Sequence, residues 1–189
     1  MTDRRADPRD PRPLTGEPLA LDLLNTRWAG TPVNDLLDDE PDGYAIWLSS
    51  AGLAGRCAAD AAGRAAAREA REALAAAVRD LDERGGVGVA ALAGLDAVLG
   101  HGRVRREASA TGPVDRVEVD DPARLAAWLA VDDFLGLLGQ GPQRIKKCAH
   151  EACILHFFDT SQNGRRRWCS MAVCGNRAKA ARHYGKVHG

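Results

Sequence analysis

The chain has 189 residues, of which 45% are apolar, with 26 Lys/Arg against 26 Asp/Glu, enough to bury a core for one ordinary domain and to carry a small appended module. No apolar run approaches the roughly 18 to 20 residues of a membrane span, and the opening MTDRRADPRDPRP lacks the apolar stretch of a signal peptide, so a soluble, cytoplasmic protein is expected. The neutral total hides an asymmetry, because residues 1–139 hold 16 Lys/Arg against 24 Asp/Glu, a net of −8, while residues 140–189 hold 10 against 2, a net of +8.

Residues 1–13 carry three prolines among alternating charges and read as a disordered tail, with nothing to bury. A first domain is expected over 14–139. Glu17 to Trp28 (EPLALDLLNTRW) places Leu19, Leu23 and Leu24 at helical spacing, with Pro18 suited to the first turn and Gly30 and Pro32 as breakers. Asp22 and Asn25 there are open to two readings, as contacts for a small molecule or as the polar face and caps of the helix. A second helix starts after Pro41, with Tyr44, Trp47 and Leu48 on one face, and ends near Gly52. Cys57 lies in an Ala-rich stretch and reads as a small hydrophobe. Ala58 to Arg84, rich in Ala, Arg and Glu and free of proline, predicts a long amphipathic helix with Leu74, Val78 and Leu81 inward, stopped by Gly85 and Gly86. Val89 to Leu99 predicts a shorter helix with Leu92, Leu95 and Leu99 on the core side. The period then changes: Arg103–Ser109 and Val114–Val119 alternate around Gly112 and Pro113, which predicts a two-stranded hairpin. Asp121 caps a last helix with Pro122 in its first turn, and Leu125, Trp128, Leu129, Phe134, Leu137 and Leu138 form its apolar face. Residues 139–142 (GQGP) read as a domain linker.

The segment 140–189 holds four of the five cysteines, Cys148, Cys153, Cys169 and Cys174, as two C-x4-C pairs separated by fifteen residues. Two such turns can converge on one ion, and four thiolates fill the tetrahedral shell of structural zinc, leaving no open position for catalysis. Paired cysteines in a reducing compartment more often hold metal than form disulfides. His150 and His156 lie close enough to stand in for a cysteine, but a complete thiolate set leaves them at the surface or in support. Ile154–Phe158 reads as a strand, Asn163–Gly164 as a hairpin turn, Arg165–Cys169 as the returning strand, and Asn176–Tyr184 as a helix. A module this small depends on its metal to fold.

The run Trp168 to Lys179 (WCSMAVCGNRAK) resembles the signature of the CGNR zinc-finger family, and Phe158-Asp159-Thr160-Ser161 with Asn163 and Arg165 to Arg167 fits the stretch before it. LALDLLNTRW and the helical pattern to about residue 139 are similar to the ABATE domain that accompanies that finger, so the resemblance spans nearly the whole chain. It implies a bacterial transcription regulator with a treble-clef-like C-terminal finger, in which Cys148, Cys153, Cys169 and Cys174 bind the metal and Gly175, Asn176 and Arg177 complete the motif. The expected class is α+β: a mostly helical N-terminal domain with one β-hairpin, plus that small finger.

A tetrathiolate zinc site carries −2, which leaves the finger about +6 for an anionic partner, nucleic acid first; the competing reading is that the acidic domain covers it. On the helix after Cys174, Lys179, Arg182, His183 and Lys186 fall on one face, while Ala180, Ala181 and Tyr184 fall on the other. Arg165, Arg166, Arg167, Asn176, Arg177, Lys179, Arg182 and Lys186 are therefore the candidate DNA contacts. Alternation turns Arg166 away from its neighbours. For the Arg run, with Lys146 and Lys147, a solvated strand or compensation of the zinc charge is the other reading, and for Asn176 it is a backbone cap. Phe158 and Trp168 read as core. The first domain is a candidate sensor of a small-molecule effector. A zinc-stabilised protein-interaction module is the alternative function. A nuclease trio of His156, Asn176 and His183 lacks an acidic metal cluster, and no phosphate loop, nucleophile elbow or carboxylate pair is found, so no catalysis is expected.

Overall fold

The computed structural model describes residues 6–177 and 179. Helix α1 (Leu19–Leu24) follows Pro18 and buries Ala20, Leu21, Asp22 and Leu23. A free N–H of its first turn is satisfied from another element, the Ala20 N–H donating to Asp133 Oδ2 at 2.9 Å. The helix stops earlier than the expected Trp28, at Asn25, because the polar groups of Asn25 and Thr26 are drawn out of helical register: the Thr26 hydroxyl donates to Leu23 O at 2.7 Å, and Asn25 turns to the C-terminal module. Arg27–Trp28 (β1) then pairs antiparallel with Asn34–Asp35 (β2).

Helix α2 (Leu36–Asp39) is capped by the Asp35 carboxylate, which accepts from the Leu37 N–H, and α3 (Gly43–Ser50) matches the helix expected after Pro41. Gly43 is demanded by packing, since a Cβ there would overlap the Leu36 carbonyl oxygen. Helix α4 (Ala61–Arg84) runs for 24 residues between an Asp60 cap and Gly85, which takes φ +73°. Its buried stripe is mostly alanine, with Ala66, Ala67, Ala70, Leu74, Ala77 and Val78, so neighbouring backbones can approach closely. Helix α5 (Val89–Leu99) turns Ala91, Leu95 and Val98 inward and leaves Leu92 41% exposed; its docking face is rotated by a residue from the expected Leu92–Leu95–Leu99 stripe. Strands β3 (Gly102–Ser109) and β4 (Gly112–Val119) form the expected hairpin, in register from Gly102↔Val119 to Ser109↔Gly112. Asp121 caps a 3-10 turn, Pro122–Arg124, that leads into α6 (Leu125–Gln140). Helix α4 packs on α1, α5 and α6, and α6 on α1 and α5.

Two expectations are corrected at the domain edges. Residues 7–13 are not a tail. The Arg12 and Asp10 side chains are fully buried and paired at 2.7 Å, Arg12 also reaches Asp22 at 3.1 Å, and the Ser50 hydroxyl donates to Asp10 at 2.7 Å. Charge composition suggested exposure, but a guanidinium shared between two carboxylates can be buried. The GQGP stretch is not a free linker either. Helix α6 continues through Gly139 to Gln140, breaks at Gly141 (φ 142°), and a 3-10 turn at Pro142–Arg144 delivers the chain directly into β5 (Ile145–Lys147).

Strand β5 pairs antiparallel with β6 (His156–Phe158), Ile145 opposite Phe158. The expected partner of this strand, Arg165–Cys169, is not a strand, because β6 already has a partner in β5 on one edge and first-domain side chains on the other. Ile145 and Phe158 join the core of the first domain, while Leu155 and Phe157 pack with the four cysteines in a second cluster.

Candidate metal centre and basic face

Cys148 directly follows β5 and Cys153 opens the return to β6. The turn between them is closed by the Cys148 N–H donating to Leu155 O and the Cys153 N–H donating to His150 O, both at 2.9 Å. The second arm is stitched on by the Ala149 N–H donating to Arg167 O at 2.8 Å, which brings Cys169 over the first turn. A wide helical turn, Met171–Gly175, then carries Cys174 inward, the Gly175 N–H donating five residues back to Ser170 O at 3.0 Å.

The four sulfurs lie within 4.8 Å of one another and all four residues are buried. Cys153 Sγ is 3.8 Å from Cys169 Sγ, which is 3.6 Å from Cys174 Sγ. These distances exclude a disulfide, whose sulfurs sit about 2.05 Å apart. They match the edge of about 3.8 Å that a tetrahedron with Zn–S bonds of about 2.3 Å requires. The sulfurs also perturb one another. A hydrogen bond from Cys169 pulls Cys153 down to about 5, while the same bond pushes Cys169 up and burial pushes Cys174 up to about 11. A divalent cation among the sulfurs offsets the mutual repulsion of four thiolates and deprotonates coordinating thiols. The set fits one structural zinc ion, with no protein ligand position left open.

Asp159, fully buried, organises the loop between the arms. It accepts from Lys146 Nζ at 2.7 Å, from the Ser161 hydroxyl and N–H, and from the Arg166 N–H. Burial opposes its charge, but these donors outweigh burial and hold its carboxyl well below the usual range.

The finger is docked, not tethered. On the edge of β6 turned away from β5, buried Asn25 imitates a neighbouring strand, its amide donating to His156 O at 2.8 Å and its Oδ1 accepting from the His156 N–H at 3.0 Å. Glu17 accepts from the Phe158 N–H and from the Arg166 guanidinium, both at 3.0 Å. Asp82 on α4 meets His156 Nε2 at 3.0 Å.

With this geometry in view, residues 17–141 match the model of ABATE, described as a putative stress-induced transcription regulator, and residues 144–186 match that of the CGNR zinc finger. The chain belongs to the ABATE family. Comparison with curated proteins finds no match.

The candidate contacts of the CGNR finger separate into distinct groups. Arg165 and Arg167 are exposed and line one groove with Trp168, Ser170 and Met171 beside Pro13–Thr15, just before the ABATE segment. Arg167 also stacks over Trp168 at 5.2 Å. Arg177 and Lys179 are exposed, and neither they nor Arg165 and Arg167 form an ion pair among the described residues. Asn176 is exposed, its amide donating to Ala172 O at 3.2 Å, which is the capping role. Arg166 is a correction. It bonds Glu17, Trp168 O and Cys169 O and lies 4.2 Å from the centre of the Phe157 ring, so its guanidinium is committed to the fold. Arg182, Lys186 and His183 lie outside the described residues. Phe158 is buried as expected, Trp168 only partly.

Sequence reasoning missed the ABATE–finger contacts of Glu17, Asn25 and Asp82. The available signal was the run LALDLLNT, in which Asp22 and Asn25 share a helical face with the leucines; both are buried, Asp22 on Arg12 and Asn25 on His156, so they do not form a solvated polar face, while Asn25 does stand at the C-cap of α1.

Proposed function

We propose that the protein is a DNA-binding regulator in which the zinc-held CGNR finger supplies the contact surface and the ABATE domain the sensor, with no catalytic step. The observation that carries this reading is the set of exposed cations, Arg165, Arg167, Arg177 and Lys179, that the acidic first domain leaves without ion pairs among the described residues. Among the described residues the first domain pairs with Arg166 and His156 of the finger and with none of these four. Such cations bind phosphates by displacing counterions, and a groove holding Arg167 stacked on Trp168 suits a polyanion with planar bases. The nuclease alternative loses support because His156 is held at the interface by Asp82 and Asn25, away from solvent.

A salt series tests the proposal. With zinc-loaded protein and duplex DNA, log K against log salt falls linearly, and replacing Arg165, Arg167 and Lys179 by alanine lowers the slope by about 2.7, at roughly 0.9 per lost phosphate contact. Absence of binding at low salt with zinc in place refutes DNA recognition and favours the interaction-module alternative, in which the same cations meet an acidic protein. Selection from a random DNA pool then gives the sequence preference.

A further inference from the structure

A second cleft, of about 240 Å³, lies where helix α4 of the ABATE domain faces the CGNR finger. Its polar lining is mostly cationic: Arg27, Arg71, Arg79 and Lys147, with Asp82 as the acid. Asp82 is bonded to His156, and Arg27 and Arg71 are paired to Asp35. Arg79 and Lys147, both exposed, have no ion pair among the described residues. Two nitrogens of nearly buried lining residues are also without a hydrogen-bond partner there, Arg71 Nε and His156 Nδ1. Buried polar atoms of this kind are rare in folded proteins and are commonly met by a water or an ion. The rest of the lining is apolar, with Leu24, Ala75, Val78 and Ile154.

The larger cleft nearby shares Lys147 and adds Arg167, likewise without an ion pair among the described residues. Its Lys146 and Arg166 are already bonded to Asp159 and Glu17, and none of its described lining residues carries an orphaned side-chain nitrogen. Spare cations, orphaned nitrogens and an apolar wall coincide at the smaller site.

We propose that this cleft binds a small organic anion, a single carboxylate or phosphate group on a compact apolar body. The anionic group meets Arg79 and Lys147, and the body rests on Leu24, Val78 and Ile154. The volume falls below the roughly 300–1,000 Å³ of sites for drug-sized ligands, so the guest is small. The ABATE helices supply one wall, and the finger supplies Lys147, Ile154 and His156, so the bound anion touches both units. Lys147 and Ile154 are chain neighbours of the zinc ligands Cys148 and Cys153, which couples occupancy to the first metal-binding turn. This rests on the sensor half of the reading above, but binding is measured without DNA.

Zinc-loaded full-length protein is titrated calorimetrically with benzoate, phenyl phosphate, inorganic phosphate and benzyl alcohol. Benzoate or phenyl phosphate is expected to bind at least about tenfold more tightly than the other two, and whichever is tighter identifies the anionic group. Arg79→Ala weakens that binding about fivefold or more, and Arg79→Ala with Lys147→Ala weakens it further, with thermal unfolding unchanged because both side chains are exposed. Arg79 is outside the candidate DNA face, so Arg79→Ala leaves the salt slope for DNA intact, and failure of either reading is visible separately. No saturable binding of either aromatic anion up to about 10 mM, equal binding of benzyl alcohol or inorganic phosphate, or an unchanged affinity in the double variant overturns the proposal.

Discussion

Replacing Asn25 by alanine tests the docking of the finger on the ABATE domain. Asn25 is 1% exposed, and its amide completes both backbone groups of His156, at 2.8 and 3.0 Å. Alanine removes both partners and leaves a peptide N–H and a carbonyl orphaned at a buried edge, each costing about 1–3 kcal/mol. Water entering the vacated space recovers part of that, so the expected loss is about 3 kcal/mol. For a chain of this size 1 kcal/mol moves the melting temperature by about 2–4 °C, which gives a fall of about 6–12 °C. Asn25→Asp is expected to lose at least as much, because a carboxylate then faces the His156 carbonyl oxygen. Urea denaturation and calorimetry in the presence of zinc read the loss, and hydrogen exchange of the His156 and Phe158 amides locates it. Zinc content stays at one per chain, since no ligand is touched. A loss below about 1 kcal/mol in both variants refutes the idea that this bidentate contact anchors the finger.

Removing zinc with a strong chelator is expected to unfold the finger while most of the far-ultraviolet helical signal survives, because α1 and α3–α6 bury their own core; metal analysis before treatment reads one zinc, and Cys169→Ser binds it far more weakly. Arg71→Ala leaves Asp35 facing a vacated buried site with Arg27 as its remaining arginine partner, and costs about 3 kcal/mol in urea denaturation. Gly43→Ala drives a Cβ into the Leu36 carbonyl and costs about 3 kcal/mol or more; a melting temperature equal to that of the parent contradicts the close approach of α2 and α3.

Local patterns carried over well to the fold. The bounds of α5, the apolar face of α6, the β3–β4 hairpin and the Asp121 cap follow from propensity, period and capping groups a few residues apart. The metal centre was legible for the same reason: thiolate spacing within each turn is a local property, and the chemistry of zinc restricts what two such turns can do. The fate of individual charges was not. Arg12 and Arg71 are buried while Arg165 and Arg167 are exposed, although all four are arginines in polar stretches.

Sequence by itself determined that this chain has a helical first domain, one hairpin and a four-cysteine zinc module with a net positive charge. Tertiary structure alone decided that β6 pairs with β5, that Arg166 is spent inside the fold, and that the finger is docked through Asn25 and His156, 131 positions apart. The physical reason is one of range. Helices, turns and ligand pairs are fixed by neighbours along the chain, whereas a buried polar group is stable only beside a partner that the rest of the fold must bring to it.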